Sequence, residues 1–139
     1  MRQYQRTLTL NTNGQGLIEF TKETADIVAA SRIVTGLAHV FCRHTSASLL
    51  IQENADPDVR RDLVAFFKRL VPDGDPLFIH RSEGPDDMPA HVKAALTKTA
   101  LAIPVGGGRL MLGMWQGIYL FEHRTRPHCR SVVVHVIGE

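Results

Sequence analysis

The stretch that decides the fold class runs from Asp56 to Leu70 and reads DPDVRRDLVAFFKRL. Asp56 suits a helix N-cap and Pro57 suits the first helical position. Apolar residues then recur at helical spacing and form one stripe. The stretch therefore predicts an amphipathic helix, which ends before the turn-forming residues 72–76. The apolar stripe consists of Val59, Leu63, Phe66, Phe67 and Leu70.

Strands are predicted on both sides of this helix. Towards the N-terminus we expect strands over 3–10, 16–20, 36–43 and 49–51, with a helix capped by Thr21 and ending near Ser31. Towards the C-terminus we expect a helix over 87–98, followed by two hairpins. One hairpin pairs 100–105 with 109–112, and the other pairs 117–122 with 130–137. Helices between β-rich ends predict an α+β fold, with antiparallel or mixed sheet layers and about three helices, in one domain over residues 1–139.

The composition is that of an ordinary globular protein. The chain has 139 residues, of which 44% are hydrophobic and 22% charged, and its formal net charge is +2. A weak charge and few aromatic residues disfavour a nucleic-acid binder. No apolar run approaches the ~18 residues of a membrane span. Cys42 and Cys129 form no CxxC pair and predict reduced thiols in a cytoplasmic protein.

Three stretches place a histidine beside carboxylates, and these histidines are His44, His91 and His123. Each stretch falls near the end of a predicted element, where side chains from distant parts of a chain can converge. Three imidazoles at one point can bind Zn²⁺ and leave a fourth position open. The alternative is that each histidine makes only local hydrogen bonds. His80, which closely precedes Glu83, is a further candidate for the site.

Other polar residues near these histidines have two interpretations each. Asp87 lies one helical turn before His91 and can orient its imidazole, or can cap the helix. The hydroxyls of Thr45, Ser46 and Ser48 suggest a nucleophile or a phosphate cradle, or a simple turn.

These stretches, taken together, resemble the YjbQ family, which is also labelled the secondary thiamine-phosphate synthase family. The resemblance covers essentially the whole chain. The motifs that carry it are His-Thr-Ser-Ala-Ser at 44–48, Glu-Asn-Ala-Asp-Pro-Asp-Val at 53–59, Glu-Gly-Pro-Asp-Asp-Met-Pro-Ala-His at 83–91, Gly-Arg-Leu at 108–110 and Trp-Gln-Gly-Ile-Tyr-Leu-Phe-Glu-His-Arg at 115–124.

The resemblance implies a compact α+β domain that assembles as a homotrimer. It also implies an activity like that of thiamine-phosphate synthase, which joins a thiazole phosphate to a pyrimidine diphosphate with loss of pyrophosphate. Metal ligation is then expected for His44, His91 and His123, and catalytic roles for Glu53, Asp58, Asp62, Glu83 and Asp87. Substrate binding is expected for Ser46, Arg109, Trp115, Gln116 and Arg124.

The leading hypothesis is therefore an enzyme that uses a divalent metal, most simply Zn²⁺, and acts on a small phosphorylated or heterocyclic metabolite. A carboxylate such as Glu53 or Glu83 would serve as acid or base, and arginines would bind phosphate. The alternative hypothesis is a trimer that binds a metabolite or anion without turnover and has a regulatory role.

Overall fold

The computed structural model describes residues 1–139 and contains eight strands and three helices, which confirms the predicted α+β class. The strands are β1 (Arg2–Asn11), β2 (Gly16–Glu19), β3 (Gly36–Cys42), β4 (Ala47–Glu53), β5 (Ala100–Gly106), β6 (Arg109–Leu110), β7 (Gln116–Glu122) and β8 (Cys129–Gly138). The helices are α1 (Thr21–Ser31), α2 (Pro57–Leu70) and α3 (Asp87–Leu96).

The strands form two antiparallel sheets that share one core. The larger sheet has the order β1-β8-β3-β5-β6, and the smaller has the order β2-β7-β4. Alternate residues of β3 point into the core, as the sequence pattern predicts; these are Ala38, Val40 and Cys42. Leu49 and Leu120 of the smaller sheet belong to the same buried cluster. Both sheets therefore depend on one hydrophobic core.

The helix boundaries follow local capping chemistry. The Asp56 carboxylate accepts a hydrogen bond of 2.9 Å from the Asp58 N–H, and Pro57 opens α2, as predicted. The predicted cap at Thr21 is wrong, because Phe20 occupies the N-cap position. The Thr21 hydroxyl instead accepts a hydrogen bond of 2.8 Å from the Ile118 N–H and so fastens α1 to β7.

One of the two predicted hairpins is confirmed and the other is wrong. β5 and β6 pair across Gly107 and Gly108, whose φ angles of 57° and 76° suit glycine in a tight hairpin turn. β7 and β8 do not pair, because they belong to different sheets. The chain between them starts with two buried polar residues, His123 and Arg124, and then crosses along the surface from one sheet to the other.

Six connections cross between the two sheets, and we call three of the short ones the crossing segments. They are residues 12–15, 43–46 and 123–128. All three meet at the buried ion pair between Glu122 and Arg130. Glu122 Oε1 accepts a 2.6 Å bond from the Thr12 hydroxyl, and Oε2 accepts the His123 N–H at 3.0 Å. Arg130 donates to the Ser46 carbonyl at 3.2 Å.

No helix of the protein is both long enough and apolar enough to cross a membrane. Cys42 is buried, Cys129 is exposed, and both are free thiols.

Replacing Glu122 with glutamine should lower the free energy of unfolding by about 3 kcal/mol, because Arg130 keeps a buried charge without a counterion. Burial opposes ionisation, but the bonds from Arg130 and Thr12 still hold the pKa of Glu122 below its usual value. Its stabilisation should thus be present above about pH 4.5 and be lost as the pH falls through the folded-state pKa. Urea unfolding of Glu122→Gln measures the effect. The matched control is Glu139→Gln, at an exposed pair with the N-terminus, which should change stability by less than about 0.5 kcal/mol.

Candidate metal centre

Two histidines converge on one carboxylate oxygen beside α3. Asp87 and His91 lie one helical turn apart, so their side chains share a face of the helix. His91 Nε2 lies 3.1 Å from Asp87 Oδ2. His80, from the segment that precedes α3, places its Nε2 2.6 Å from the same oxygen. The ligating atoms of these three residues all lie within 4.8 Å of one another, and we call them the His80–Asp87–His91 cluster.

The tautomer of His91 favours a positive charge within this cluster. His91 Nδ1 lies 2.9 Å from the Thr45 carbonyl oxygen, which can only accept, so Nδ1 carries a proton. A neutral His91 then points the lone pair of Nε2 at the lone pairs of Asp87 Oδ2. Two acceptors at 3.1 Å repel each other unless a positive charge lies between them. That charge is either a second proton on the imidazole or a bound cation.

The donor set fits a divalent transition metal. Two imidazole nitrogens and one carboxylate oxygen form a common catalytic Zn²⁺ set, with a fourth position left for water or substrate. Zn²⁺ bonds of about 2.0–2.1 Å separate neighbouring ligand atoms by about 3.4 Å in a tetrahedral site. The two distances from Asp87 Oδ2, 2.6 and 3.1 Å, each lie within about 1 Å of that value, and all three ligand atoms lie within 4.8 Å of one another. His91 also has the carbonyl partner that commonly orients a ligating histidine.

Arg124 holds the acidic start of α3 in place. Its Nη1 lies 2.8 Å from Asp87 Oδ1, and its Nε lies 2.9 Å from Asp86 Oδ2. A third bond of 3.0 Å joins Nη2 to the Glu83 carbonyl. Because Arg124 occupies Asp87 Oδ1, the other oxygen of that carboxylate is left to face the histidines. Arg124 is itself buried and fully engaged, so it positions the site rather than offering a free guanidinium to substrate phosphate.

Asp86 is part of the same network and does not cap α3 with its side chain. Burial opposes the charge on Asp86, but bonds from the Thr125 N–H and Arg124 lower its pKa to about 2. Burial likewise opposes the charge on Arg124, while Asp86 and Asp87 raise its pKa. Asp86 is thus a charged partner of Arg124, and the Oδ2 atom of Asp87 is left to face the two histidines.

His44 lies outside the cluster. Its Nε2 accepts a hydrogen bond of 2.8 Å from the Ser131 N–H, so that lone pair is already used. Burial, and then the nearby Arg130 charge, lower the pKa of His44 and favour the neutral ring. The proton of this neutral ring therefore resides on Nδ1. In this arrangement His44 is a hydrogen-bond donor rather than the predicted metal ligand.

His123 also lies outside the cluster, in the interior of the protein. Its Nε2 lies 2.9 Å from the Ser48 hydroxyl, which lies 2.6 Å from the Thr97 hydroxyl. Burial, and then the charge of Lys93, lower the pKa of His123 to about 3. Its Nδ1 is buried and has no hydrogen-bond partner. The predicted ligand set of His44, His91 and His123 is therefore not assembled within one chain, because only His91 contributes to the cluster.

The predicted catalytic carboxylates divide into two groups. Asp87 belongs to the cluster. Burial raises the pKa of Asp87, but hydrogen bonds with His80 and then with Glu83 lower it below its usual value. Glu83 therefore lies close to the cluster. Glu53 instead accepts the Ala55 and Asp56 N–H groups at 3.1 and 2.7 Å and shapes the entry to α2. Asp58 and Asp62 are exposed on α2, outside the cluster.

Most of the predicted substrate-binding residues also lie elsewhere. Ser46 is buried, and its carbonyl accepts bonds from Arg130 and from the His123 N–H. Arg109 is exposed on β6, and Gln116 Oε1 accepts the Gly113 N–H at 2.8 Å in the turn before β7. The Trp115 side chain is 59% exposed. None of these four belongs to the His80–Asp87–His91 cluster.

Sequence reasoning missed three elements of this region. They are the Thr45 carbonyl that orients His91, the Ser131 N–H that occupies His44, and the buried Lys93 beside His123. The first two are main-chain groups, which no residue pattern can reveal. Burial lowers the pKa of Lys93. Lys93 lies two residues after His91 in the sequence, and this spacing does not indicate that its side chain is buried.

The family model for UPF0047 protein YjbQ-like proteins matches residues 6–139. This chain belongs to the YjbQ family. The UPF0047 protein sll1880 of Synechocystis is 55% identical over 138 residues, which cover 99% of this chain and 94% of that protein. The UPF0047 protein YjbQ of Escherichia coli O157:H7 is 44% identical, over 98% of this chain and 99% of its own length. The whole chain is thus a YjbQ-family domain.

Solved structures of similar proteins share its fold. An X-ray structure from Clostridium acetobutylicum superposes with a TM-score of 0.82 and 34% identity, over 96% of this chain and 98% of that chain. A conserved hypothetical protein of Thermus thermophilus gives 0.84 and 35%, over 95% of this chain and 99% of that chain. The names of these proteins state no reaction.

The neutral state of His123 should make stability depend on pH. An unfolded-state pKa near 6.5 and a folded-state pKa of about 3 mean that the contribution is complete above pH 6.5 and is lost as the pH falls towards 3. Lowering the pH from 7 to 5 should therefore decrease the free energy of unfolding by about 2 kcal/mol. His123→Gln should remove that part of the decrease in urea unfolding experiments. His39→Gln, at an exposed histidine of β3, should retain it, and equal slopes in the two variants would refute the assignment.

Proposed function

We propose that this protein is a divalent-metal-dependent enzyme that acts on a small phosphorylated or heterocyclic metabolite. The metal, most simply Zn²⁺, would be held by His80, Asp87 and His91. The observation that carries this proposal is the convergence of two histidine nitrogens on Asp87 Oδ2, at 2.6 and 3.1 Å, with the tautomer of His91 set by Thr45. When bound, the metal would supply Lewis acidity or an activated water.

The surrounding residues have separate tasks in this proposal. Arg124 holds Asp87 through Oδ1, and the Thr45 carbonyl holds the His91 ring, so both ligands are oriented in advance. Glu83 is exposed beside Asp87, where its carboxyl group can reach a bound substrate and take up or deliver a proton. We assign Glu83, rather than the distant Glu53, as the acid or base.

The reaction implied by the family resemblance is of the thiamine-phosphate synthase type. It joins a thiazole phosphate to a pyrimidine diphosphate and releases pyrophosphate. Such a reaction needs cationic and hydrogen-bonding groups that stabilise a departing diphosphate. The His80–Asp87–His91 cluster, with a metal bound, would provide the cationic part. A cytoplasmic location belongs to the same proposal and agrees with the two free thiols.

A homotrimer is also part of the proposal, and uncovered surface in the single chain supports it. No residue of α2 is buried, and Phe66 and Leu70 of its apolar stripe are 49% and 53% exposed. Strand β1 is 10 residues long and pairs only with β8, which leaves its other edge open. Exposed apolar side chains and long open edges are commonly covered by association in native proteins.

Replacing His80 or His91 with alanine should lower the affinity for Zn²⁺ by about 100-fold or more, because each change removes one of only three protein ligands. Competition titration against a chromophoric chelator measures this. His44→Ala should bind Zn²⁺ within about threefold of wild type, since its Nε2 is used by Ser131. The same His80 and His91 variants should fail to support growth of a thiamine-requiring strain that wild-type protein rescues.

His39→Ala is the matched control, because His39 is exposed on β3 and lies outside the cluster. It should bind Zn²⁺ and support growth as wild type does. If His44→Ala lost as much affinity as His91→Ala, the assigned ligand set would be incorrect. A wild-type protein that binds Zn²⁺ tightly but never restores growth would point to the non-catalytic binding trimer instead.

In solution the protein should have about three times the 15.5 kDa mass of one chain at micromolar concentration. Sedimentation equilibrium measures this mass directly. Changing Phe66 to aspartate should shift the protein towards the single chain if the α2 stripe lies in the interface. Lys22→Asp, at an exposed position of α1, is the control and should leave the mass unchanged. A wild-type protein that sediments as one chain would refute the trimer.

A further inference from the structure

A groove runs between the second crossing segment and α3. It consists of two cavities of about 390 and 310 Å³, which share His44, Thr45 and Thr99 as lining residues. Arg43 lines the first cavity and His91 lines the second. The groove therefore begins at a surface arginine and ends at a residue of the His80–Asp87–His91 cluster. We call it the His44 groove.

His44 presents a hydrogen-bond donor to this groove. Its Nε2 accepts the Ser131 N–H, so the neutral ring carries its proton on Nδ1. That Nδ1 makes no hydrogen bond within the chain and is not among the buried unpartnered atoms, so it is accessible to a ligand, and His44 lines both cavities. A neutral imidazole with a fixed N–H is a directional donor, and Ser131 keeps it in this tautomer.

The remaining polar groups of the groove are also donors. Thr45 and Thr99 have exposed side chains whose hydroxyls make no hydrogen bond within the chain. Arg43 is exposed and forms no ion pair. No aspartate or glutamate lines either cavity. On the helix side the wall is Ala94 and Ala95, whose small side chains leave room for a ligand.

The groove and the cluster are joined by one residue. The Thr45 carbonyl accepts from His91 Nδ1 at 2.9 Å, while the Thr45 side chain lines the groove. A ligand that fills the groove therefore touches the segment that orients a metal ligand. An anion bound there would lie next to, but not between, the ligating atoms.

We propose that the His44 groove binds the phosphate or diphosphate group of the substrate, with His44 Nδ1–H as the fixed donor. Thr45, Thr99 and Arg43 complete the anion site, and the reacting part of the substrate then lies at the His80–Asp87–His91 cluster. The placement of the reacting part of the substrate rests on the proposed function, whereas anion binding in the groove does not need the metal. His44 is thus a substrate-binding residue and not a metal ligand.

The first test uses metal-free protein labelled with ¹⁵N in histidine, titrated with inorganic phosphate and with inorganic pyrophosphate. Before addition, the His44 signals should be those of the Nδ1–H tautomer. Addition should shift His44 Nδ1 and leave the exposed His39 unshifted. A His44 signal of the Nε2–H tautomer, or the absence of any shift with either anion, would overturn the proposal.

Variants then assign the binding groups. His44→Phe should weaken pyrophosphate binding by at least tenfold, as measured by calorimetry, and Thr99→Val should weaken it severalfold. Thr99→Val removes a hydroxyl at an exposed position and should leave the fold intact, so it tests the groove even if His44→Phe unfolds. His39→Phe is the control and should bind as wild type does. If both groove variants bound like wild type, the anion site would lie elsewhere.

The last measurement separates this proposal from the proposed function. Protein loaded with Co²⁺ should enhance the ³¹P relaxation of bound phosphate, and His44→Phe should abolish the enhancement while keeping its affinity for Co²⁺. Enhancement that persists in His44→Phe would mean that phosphate binds at the metal, against the groove. If wild type bound no Co²⁺ but its His44 signal still shifted with pyrophosphate, the metal proposal would fail and the groove would stand.

Discussion

The buried ion pair between Glu122 and Arg130 is the constraint on which the rest of this fold depends. Three of the six connections between the two sheets are the crossing segments, and each of these three binds to this pair. Thr12 from the first segment donates to Glu122, Ser46 from the second accepts from Arg130, and the His123 N–H from the third donates to Glu122. An irregular crossing buries main-chain polar groups that sheet pairing cannot satisfy. Two opposite charges at one point supply the missing partners.

A single residue, Arg124, links the candidate metal centre to that ion pair. The Arg124 N–H donates to Glu122 Oε2 at 3.1 Å, and the Arg124 guanidinium holds both Asp86 and Asp87. The position of α3 relative to the sheets is therefore set through Arg124. A carboxylate held through one oxygen presents the other in a defined direction, as a metal ligand must be presented. The same buried charges thus stabilise the fold and orient the site.

The sequence predicted the elements much better than it predicted their partners. The boundaries of α2 follow from Asp56 and Pro57, and the β5–β6 hairpin follows from its glycines, because capping and turn chemistry are local. The pairing of β7 with β2 and β4, rather than with β8, depends on where buried side chains of residues 122–124 find partners. That choice is made by tertiary contacts. For the same reason the sequence identified Asp87 and His91, one helical turn apart, but grouped His91 with His44 and His123, which lie outside the His80–Asp87–His91 cluster of the single chain.

The difference between the predicted histidine set and the cluster has a specific physical cause. A histidine has two ring nitrogens, and its role is decided by what the second nitrogen already binds. The Thr45 carbonyl takes the Nδ1 proton of His91 and frees its Nε2 lone pair for a cation, whereas the Ser131 N–H takes the Nε2 lone pair of His44 and leaves a donor. Both deciding groups belong to the main chain, so residue types cannot distinguish the two histidines. In the proposed function, a ligand and a donor on either side of Thr45 would bind a cation and an anion at once, as a reaction that releases a phosphate group requires.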